Sequence, residues 1–388
     1  MISKKKAVIS AILLVTITFL FTNMFNVTLG NKVMVSKSDY EEFQKLSKVR
    51  FLKESIQDEF YKDVNEEDLI IAMEKGIFDG LDDPYSQYYT KDEFEDLMEM
   101  TSGSYVGIGI VVSPGEDGFI TVVAPIEDTP AEKAGILPGD KITKVDNVKY
   151  SSKEMDKAIS IIKGKPGKDV VISIIRDKTP EFDIAIKREE IQLKSVKSEM
   201  KEEVGYIRIS SFDERTGKDF DENLASIKAN NPKGLIIDLR DNPGGLLSQV
   251  KDVSDSILGE ATIVYTQDKA GNKEYLKSKA SGKLDIPLVV LVNGNSASAS
   301  EILAGAVRDN KAGTLLGTTT YGKGLVQNVV PLKDGSGYKI TMAQYFTPNG
   351  EYINEKGITP DVVVEVSEDV EKDVQLDRAI EIIREKNK

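Results

Sequence analysis

The sequence predicts an α/β multidomain chain with an N-terminal helical arm, a compact β-rich module carrying two helices, and a larger α/β core closed by a helix. Its 388 residues at 40% hydrophobic content supply more than one core. Between Tyr105 and Arg176 the apolar runs are short and punctuated by glycines, which is strand texture. After Glu203 they become continuous and lead into helices, the pattern of strands buried on both faces.

At the start, Lys4-Lys5-Lys6 precedes an uncharged run from Ala7 to Gly30. That run is long enough to span a bilayer, and the lysines keep its start on the cytoplasmic side. Residues 1–30 are expected to form a single-pass cell-membrane anchor with the rest extracytoplasmic; a cleaved signal ending near Thr28-Leu29-Gly30, giving a secreted protein, is the alternative. Residues 37–100 form the arm, with Phe51, Ile56, Phe60, Leu69, Ile70 and Met73 at helical spacing. Inside it, Asp83-Pro84-Tyr85-Ser86 signals a turn and Thr90-Lys91-Asp92-Glu93 a helix start.

The β-rich module occupies 101–186, with strands over Gly107–Val112, Phe119–Val123, Lys141–Val145 and Val170–Ile175. Thr129-Pro130-Ala131-Glu132 reads as a hydroxyl N-cap, a Pro at N1 and a Glu at N3 of a short helix that Gly135 stops. A second helix covers Lys153–Lys163. In the core, 187–388, the apolar runs Gly234–Leu239 and Pro287–Val292 are followed by helices over Leu246–Leu258 and Ala299–Asp309. The chain turns β-rich after Gly317, and an amphipathic helix over Val374–Ile383 closes it.

Composition removes whole classes of function. A formal charge of −13, with no basic stripe, argues against a nucleic-acid partner. The chain has no Cys and no His. Thiol nucleophiles, disulfides, thiolate metal sites, Ser-His-Asp triads and HExxH zinc sites are all excluded. A general base near neutral pH is then a carboxylate, a Tyr or a Lys of depressed pKa. No cofactor or metal is called for.

Four segments remain as candidates for chemistry. Asn295-Ser296-Ala297-Ser298-Ala299-Ser300-Glu301 joins a buried strand to a helix, where backbone N–H groups and the helix dipole favour an oxyanion. The same spacing, Ser298-x-x-Glu301, is also that of a capping box. Lys323, between Gly322 and Gly324 and beside apolar residues, can be desolvated and accept a serine proton, or can be an ordinary surface lysine. Gln327 follows four residues later and can orient the amine. Gly244 and Gly245, after Arg240-Asp241-Asn242-Pro243, expose amides at a helix entrance or simply make a tight turn. Val106-Gly107-Ile108-Gly109 leads into a strand, where its amides can capture a peptide carboxylate.

Taken in order, these motifs resemble a known family. Residues 105–142 resemble a PDZ domain, and everything after them is similar to the carboxyl-terminal processing peptidases, the tail-specific proteases of family S41, the resemblance as a whole covering about residues 37–388. The resemblance rests on Asp83-Pro84-Tyr85-Ser86-Gln87-Tyr88, the PDZ loop and helix, Leu239–Gly245, Ser296–Ile302 and Tyr321-Gly322-Lys323-Gly324-x-x-Gln327. It implies a crotonase-like α/β peptidase core with a mobile PDZ. By position it implies Ser298 as nucleophile, Lys323 as base, Gln327 as its orienting partner and the amides of Gly244 and Ala299 as the oxyanion hole. Asn295 departs from the family, standing where many members have Gly. The implied partners are protein or peptide substrates with free C-termini, the membrane through the N-terminal segment, and a homo-oligomer as an open possibility. A PDZ adaptor that binds tails without cutting them is the reading from another class, and intact Ser298 and Lys323 argue against it.

Overall fold

The computed structural model describes residues 5–6, 10, 12–18, 28–29, 32–33, 36–177, 179–279, 282–366 and 372–388. The anchor expected over 1–30 therefore lies largely outside the described residues, and none of the described helices is long and apolar enough to cross a membrane. The chain divides into two units, Met1–Asp82 and Asp83–Lys388.

The first unit contains helices Lys37–Glu59 and Glu66–Asp79, started by side-chain caps from Ser36 and Asn65. Neither helix buries a residue, and Phe51, Ile56 and Phe60 are exposed.

In the second unit, the helix start expected at Thr90 is present, with Thr90 and Glu93 closing a capping box on helix Lys91–Ser102. The strand before it, Gln87–Tyr89, pairs antiparallel with Gly337–Phe346. Residues 83–100, read with the arm from sequence, thus pack on a sheet of the second unit. Gly337 makes room for this, since a Cβ there would lie 2.2 Å from the Phe94 ring.

The β-rich module is a sheet whose order runs Phe182–Lys187, Asp169–Ile175, Lys141–Val145, Ile120–Pro125 and Ile110–Pro114. Its core gathers Ile120, Val122, Ile142, Ile172 and Ile174 under helix Met155–Ile162. The single strand expected over Gly107–Val112 is two strands, Ser104–Gly107 and Ile110–Pro114. The chain breaks at Gly109, where φ is +82° and a Cβ would lie 2.3 Å from that of Thr129. That approach also redirects the expected cap. The Thr129 hydroxyl donates to the Ile126 and Gly109 carbonyls at 2.6 and 3.2 Å, leaving helix Pro130–Lys133 without a side-chain cap.

The larger core is built on a sheet ordered Val196–Lys201, Val204–Ile209, Gly234–Asp238, Leu288–Val292, Thr314–Gly317, Val362–Val363, parallel except for its first pair. Alternation along the strands serves two cores. Leu235, Ile237, Leu288 and Val290 pack toward helices Thr216–Lys228, Leu247–Asp255 and Ala299–Asp309. Ile236, Val289 and Leu291 pack under Ala379, Ile380 and Ile383 of the closing helix Val374–Lys386. A second, antiparallel sheet carries Leu325–Pro331 against Gly337–Phe346.

Candidate active site

Strands Gly234–Asp238 and Leu288–Val292 are parallel neighbours, so their C-terminal ends deliver the turns 239–245 and 293–298 side by side. Asn242, fully buried, fastens them together. Its carbonyl accepts the Ala297 N–H at 3.0 Å and the Ser300 hydroxyl at 3.0 Å, while its amide donates to the Ile209 carbonyl at 2.9 Å. Asn295 adds a further tie, donating to Asp241 Oδ1 at 2.9 Å beside Asn293 at 2.8 Å.

This scaffold separates the three serines of the motif. Ser296 is buried and donates to the Leu239 carbonyl at 2.8 Å, and Ser300 is buried and donates to Asn242. Ser298 is half-buried, faces the cavity, and adopts φ +54°, ψ −110° as the N-cap of helix Ala299–Asp309. Such a φ is costly for a residue with a Cβ and is held only by surrounding structure. Gly244, at φ +105°, presses on this turn: a Cβ there would lie 2.9 Å from Ser298 Cβ and 3.0 Å from the Ala299 nitrogen. The Ala299 N–H finds no acceptor among the described residues, whereas the Gly244 N–H donates to Asn242 Oδ1 at 2.8 Å.

Glu301, which the sequence presents as a cap residue, has a wider role. Its carboxylate is fully buried. Oε2 accepts the N–H groups of Ser298 and Lys323, each at 2.8 Å, and Oε1 accepts the Thr320 hydroxyl at 2.6 Å and the Gly322 N–H at 2.8 Å. Tyr321 N–H adds a bond to the Ser296 carbonyl at 3.0 Å. The lysine loop is thereby fixed against the Ser298 turn. Gly322 and Gly324 are needed because side chains there would strike the backbone at 354–357.

Lys323 itself is half-buried, and no hydrogen bond joins its side chain to Ser298. Its ammonium stands 4.7 Å from the centroid of the Tyr85 ring. Burial holds its pKa below the ordinary lysine value, helped by the charge of Lys339 and opposed by Asp83 and Glu301. Tyr345 lies on the other side: its hydroxyl donates to the Lys323 carbonyl, and the residue lines the same cavity as Ser298. Burial pushes that phenol far up, so it stays protonated.

A cavity of about 590 Å³ brings together Ser298, Ala299, Gly244, Gln327, Tyr345 and Lys339. Gln327 does not meet Lys323 as its four-residue spacing suggests. A β-bulge between Val326 and Gln327 shifts the strand's phase, and the Gln327 amide donates to the Leu325 carbonyl at 3.2 Å. Tyr345 and Lys339, on one strand, and Tyr85, in the turn before another, come to the site only through long-range sheet pairing, which local sequence does not show.

In the β-rich module, a groove of about 510 Å³ lies between Ile110–Pro114 and helix Met155–Ile162, lined by Ile108, Gly109, Ile110, Val112, Ile159 and Ile162 among others. Ile110–Pro114 is an edge strand. Val106 and Gly107 sit outside the groove, paired with Glu190 and Glu189. Lys163 closes one end, bound to Glu99 at 2.6 Å and Asp96 at 3.1 Å.

Comparison with known proteins agrees with this anatomy. Residues 203–364 match Peptidase family S41, residues 106–186 a PDZ domain, and residues 15–93 the activating protease CtpB N-terminal domain. The carboxy-terminal processing protease CtpA of Bacillus subtilis (strain 168) is 37% identical over 342 residues, covering 88% of this chain and 73% of its own. CtpB of the same organism is 35% identical over 335 residues, covering 85% and 70%. The solved structure of the photosystem II D1 C-terminal processing protease aligns with a TM-score of 0.50 at 28% identity, over 81% of this chain and 86% of that one. With a relative of that identity and coverage, the chain belongs to peptidase family S41, as a carboxy-terminal processing serine protease that carries a PDZ domain.

Proposed function

We propose that Ser298 is the nucleophile and Lys323 the general base of an endopeptidase that recognises free C-terminal tails through its PDZ domain. The observation that carries this reading is the difference among the serines: Ser296 and Ser300 spend their hydroxyls on buried carbonyls, while Ser298 faces the cavity at a helix N-terminus. Ser298 Oγ attacks the scissile carbonyl carbon, and its proton passes to the neutral Lys323 amine. The tetrahedral oxyanion is received by the Ala299 N–H and, once Asn242 yields it, the Gly244 N–H. The lysine proton then goes to the leaving amine, giving an acyl-serine and a freed peptide. Water, deprotonated by the same amine, releases the acyl group and restores Ser298. Gln327, on the cavity wall, orients the amine when it swings from Tyr85 toward Ser298.

The PDZ domain, over 101–186, supplies selectivity. Of the loop Val106–Gly109, Ile108 and Gly109 stand at the groove and present their amides to a terminal carboxylate, Val106 and Gly107 being held in the ladder behind it, and the tail adds to the free edge of Ile110–Pro114. Residues 1–30 tether the arm (37–100) and the peptidase core (187–388) at the outer face of the membrane, a reading supported by Lys4–Lys6 and the uncharged run after them. A mature N-terminus near Asn31 in the purified protein would instead indicate cleavage.

The test is hydrolysis of tail peptides by Ser298→Ala, which should fall by at least ~10³ while melting behaviour is kept. Activity retained by Ser298→Ala overturns the assignment. For the PDZ, calorimetry should show free-acid tails binding more tightly than their amides; equal affinities refute carboxylate capture.

A further inference from the structure

Lys323 stands outside the cavity that holds its proposed partner. Neither it nor Tyr85 is among the described residues that line the cavity of Ser298, Gln327 and Tyr345. Its ammonium instead lies 4.7 Å from the centroid of the half-buried Tyr85 ring. Among the described residues Lys323 Nζ has no carboxylate oxygen within 4.0 Å, so the negative face of the ring stands in for a counter-ion. Both sides of this contact are fastened to strand Gly337–Phe346. Ser86 accepts the Thr341 N–H at 3.0 Å, and Gln87–Tyr89 pairs with 337–339, which fixes the turn carrying Tyr85. Further along the strand, the Tyr345 N–H donates to the Gly324 carbonyl at 3.0 Å and the Tyr345 hydroxyl to that of Lys323, which fixes the loop carrying the amine.

We propose that Tyr85 is a positioning residue whose ring seats the protonated Lys323 amine outside the Ser298 cavity and releases it when the proton is lost. This deepens the Ser-Lys reading and rests on it. A ring face attracts a cation electrostatically, and a neutral amine gains far less from it. The amine is therefore held while it carries a proton and let go in the form that can accept one from Ser298. With the Lys323 backbone tied to Glu301 and Tyr345, the flexible four-carbon stem makes the move. The charged and titratable groups around Lys323 are Asp83 and Tyr85 from the turn before the short strand, Glu301 from helix Ala299–Asp309, Tyr345 and Lys339 from strand Gly337–Phe346, and Tyr321 from its own loop. None of them replaces the ring as a seat. Asp83 accepts from the Ser86 hydroxyl and the Tyr85 N–H at 2.6 and 3.0 Å, and Glu301 holds four donors. Lys339 repels a second cation and stands on a ring of its own, 5.6 Å from the centroid of Tyr89. Burial pushes the Tyr85 and Tyr345 phenols up, so both stay neutral. A ring, unlike a carboxylate, does not lock the amine in a salt bridge.

The test follows the Lys323 titration in two ways. One is the pH dependence of kcat/KM toward a tail peptide. The other, in the Ser298→Ala background, is the pH dependence of Lys323 carbamylation by cyanate, read by mass spectrometry of the peptide that contains it. Tyr85→Phe keeps the ring face, and both midpoints should stay within ~0.2 pH unit of the parent protein. Tyr85→Leu keeps apolar cover but removes the ring, so both midpoints should move down by roughly half a pH unit or more, with about a threefold gain in kcat/KM on the acid side. A merely structural role would lower activity and move neither midpoint down. Tyr85→Met serves as a second ring-free variant if melting shows Tyr85→Leu to be unfolded. A midpoint that stays or moves up in a folded ring-free variant, by either readout, overturns the proposal. The two readings fail separately. An inactive Lys323→Ala with an unmoved Tyr85 series removes only this inference, whereas a Lys323→Ala that keeps the wild-type profile removes the Ser-Lys reading, and the seat's part in it, even if labelling shifts.

Discussion

Ser298 and Lys323 donate their backbone N–H groups to one carboxylate oxygen, Glu301 Oε2, each at 2.8 Å. The two turns come from different parts of the chain, and this buried carboxylate gives them a common frame. Their separation is set by backbone, with neither side chain used to hold it.

Replacing that carboxylate should therefore damage fold and chemistry together. Glu301→Gln keeps the size but turns one acceptor into an NH₂ that faces N–H donors. Urea unfolding should show a loss of about 2–4 kcal/mol, from donors left unsatisfied in the interior. Peptide hydrolysis should drop at least ~10²-fold through misplacement of the turns. Wild-type stability in this variant would mean the four bonds are dispensable.

Gly244→Ala tests the proposed oxyanion turn. The added Cβ would meet the Ala297 carbonyl at 2.8 Å and Ser298 Cβ at 2.9 Å, at a φ of +105° that disfavours it. We expect kcat to fall ~10²–10³-fold, the scale for losing an oxyanion donor, with tail binding by the PDZ unchanged. A near-wild-type kcat would separate this turn from the transition state.

The buried amine should also be visible in stability. Lys323 has a folded pKa below its unfolded value, so between the two the unfolded chain binds more protons and stability rises with pH. Lys323→Met removes that liability. In urea titrations the variant should be more stable than wild type below the folded pKa, with the advantage fading as pH approaches about 10.4. An advantage that grows with pH has the wrong sign for this cause.

The sequence makes the fold legible where the pattern is local. The apolar runs at 234–239 and 287–292 are buried strands, and the helix predicted over Ala299–Asp309 has those bounds. Missing His and Cys narrow the choice of base before any geometry is known. What stays hidden is long-range. Nothing near Tyr85 announces that strand pairing with 337–339 will set it under Lys323. The bulge at Val326/Gln327 breaks the spacing argument for Gln327, and no residue type marks it. Glu301 is visible only as a cap, because its other donors, at Thr320, Gly322 and Lys323, arrive from a separate loop. The Thr129 cap fails for the same reason, since Gly109 approaches from twenty residues upstream.

The most direct test of the Ser-Lys assignment is kcat/KM against pH for purified wild type, Lys323→Ala and Lys323→Arg. Wild-type activity should rise with pH through one ionisation below the ordinary lysine value of about 10.4. Both variants should be folded and inactive at every pH, the arginine because a guanidinium does not release its proton. Hydrolysis by Lys323→Ala well above a Ser298→Ala control, with the same rise in pH, would contradict Lys323 as the base.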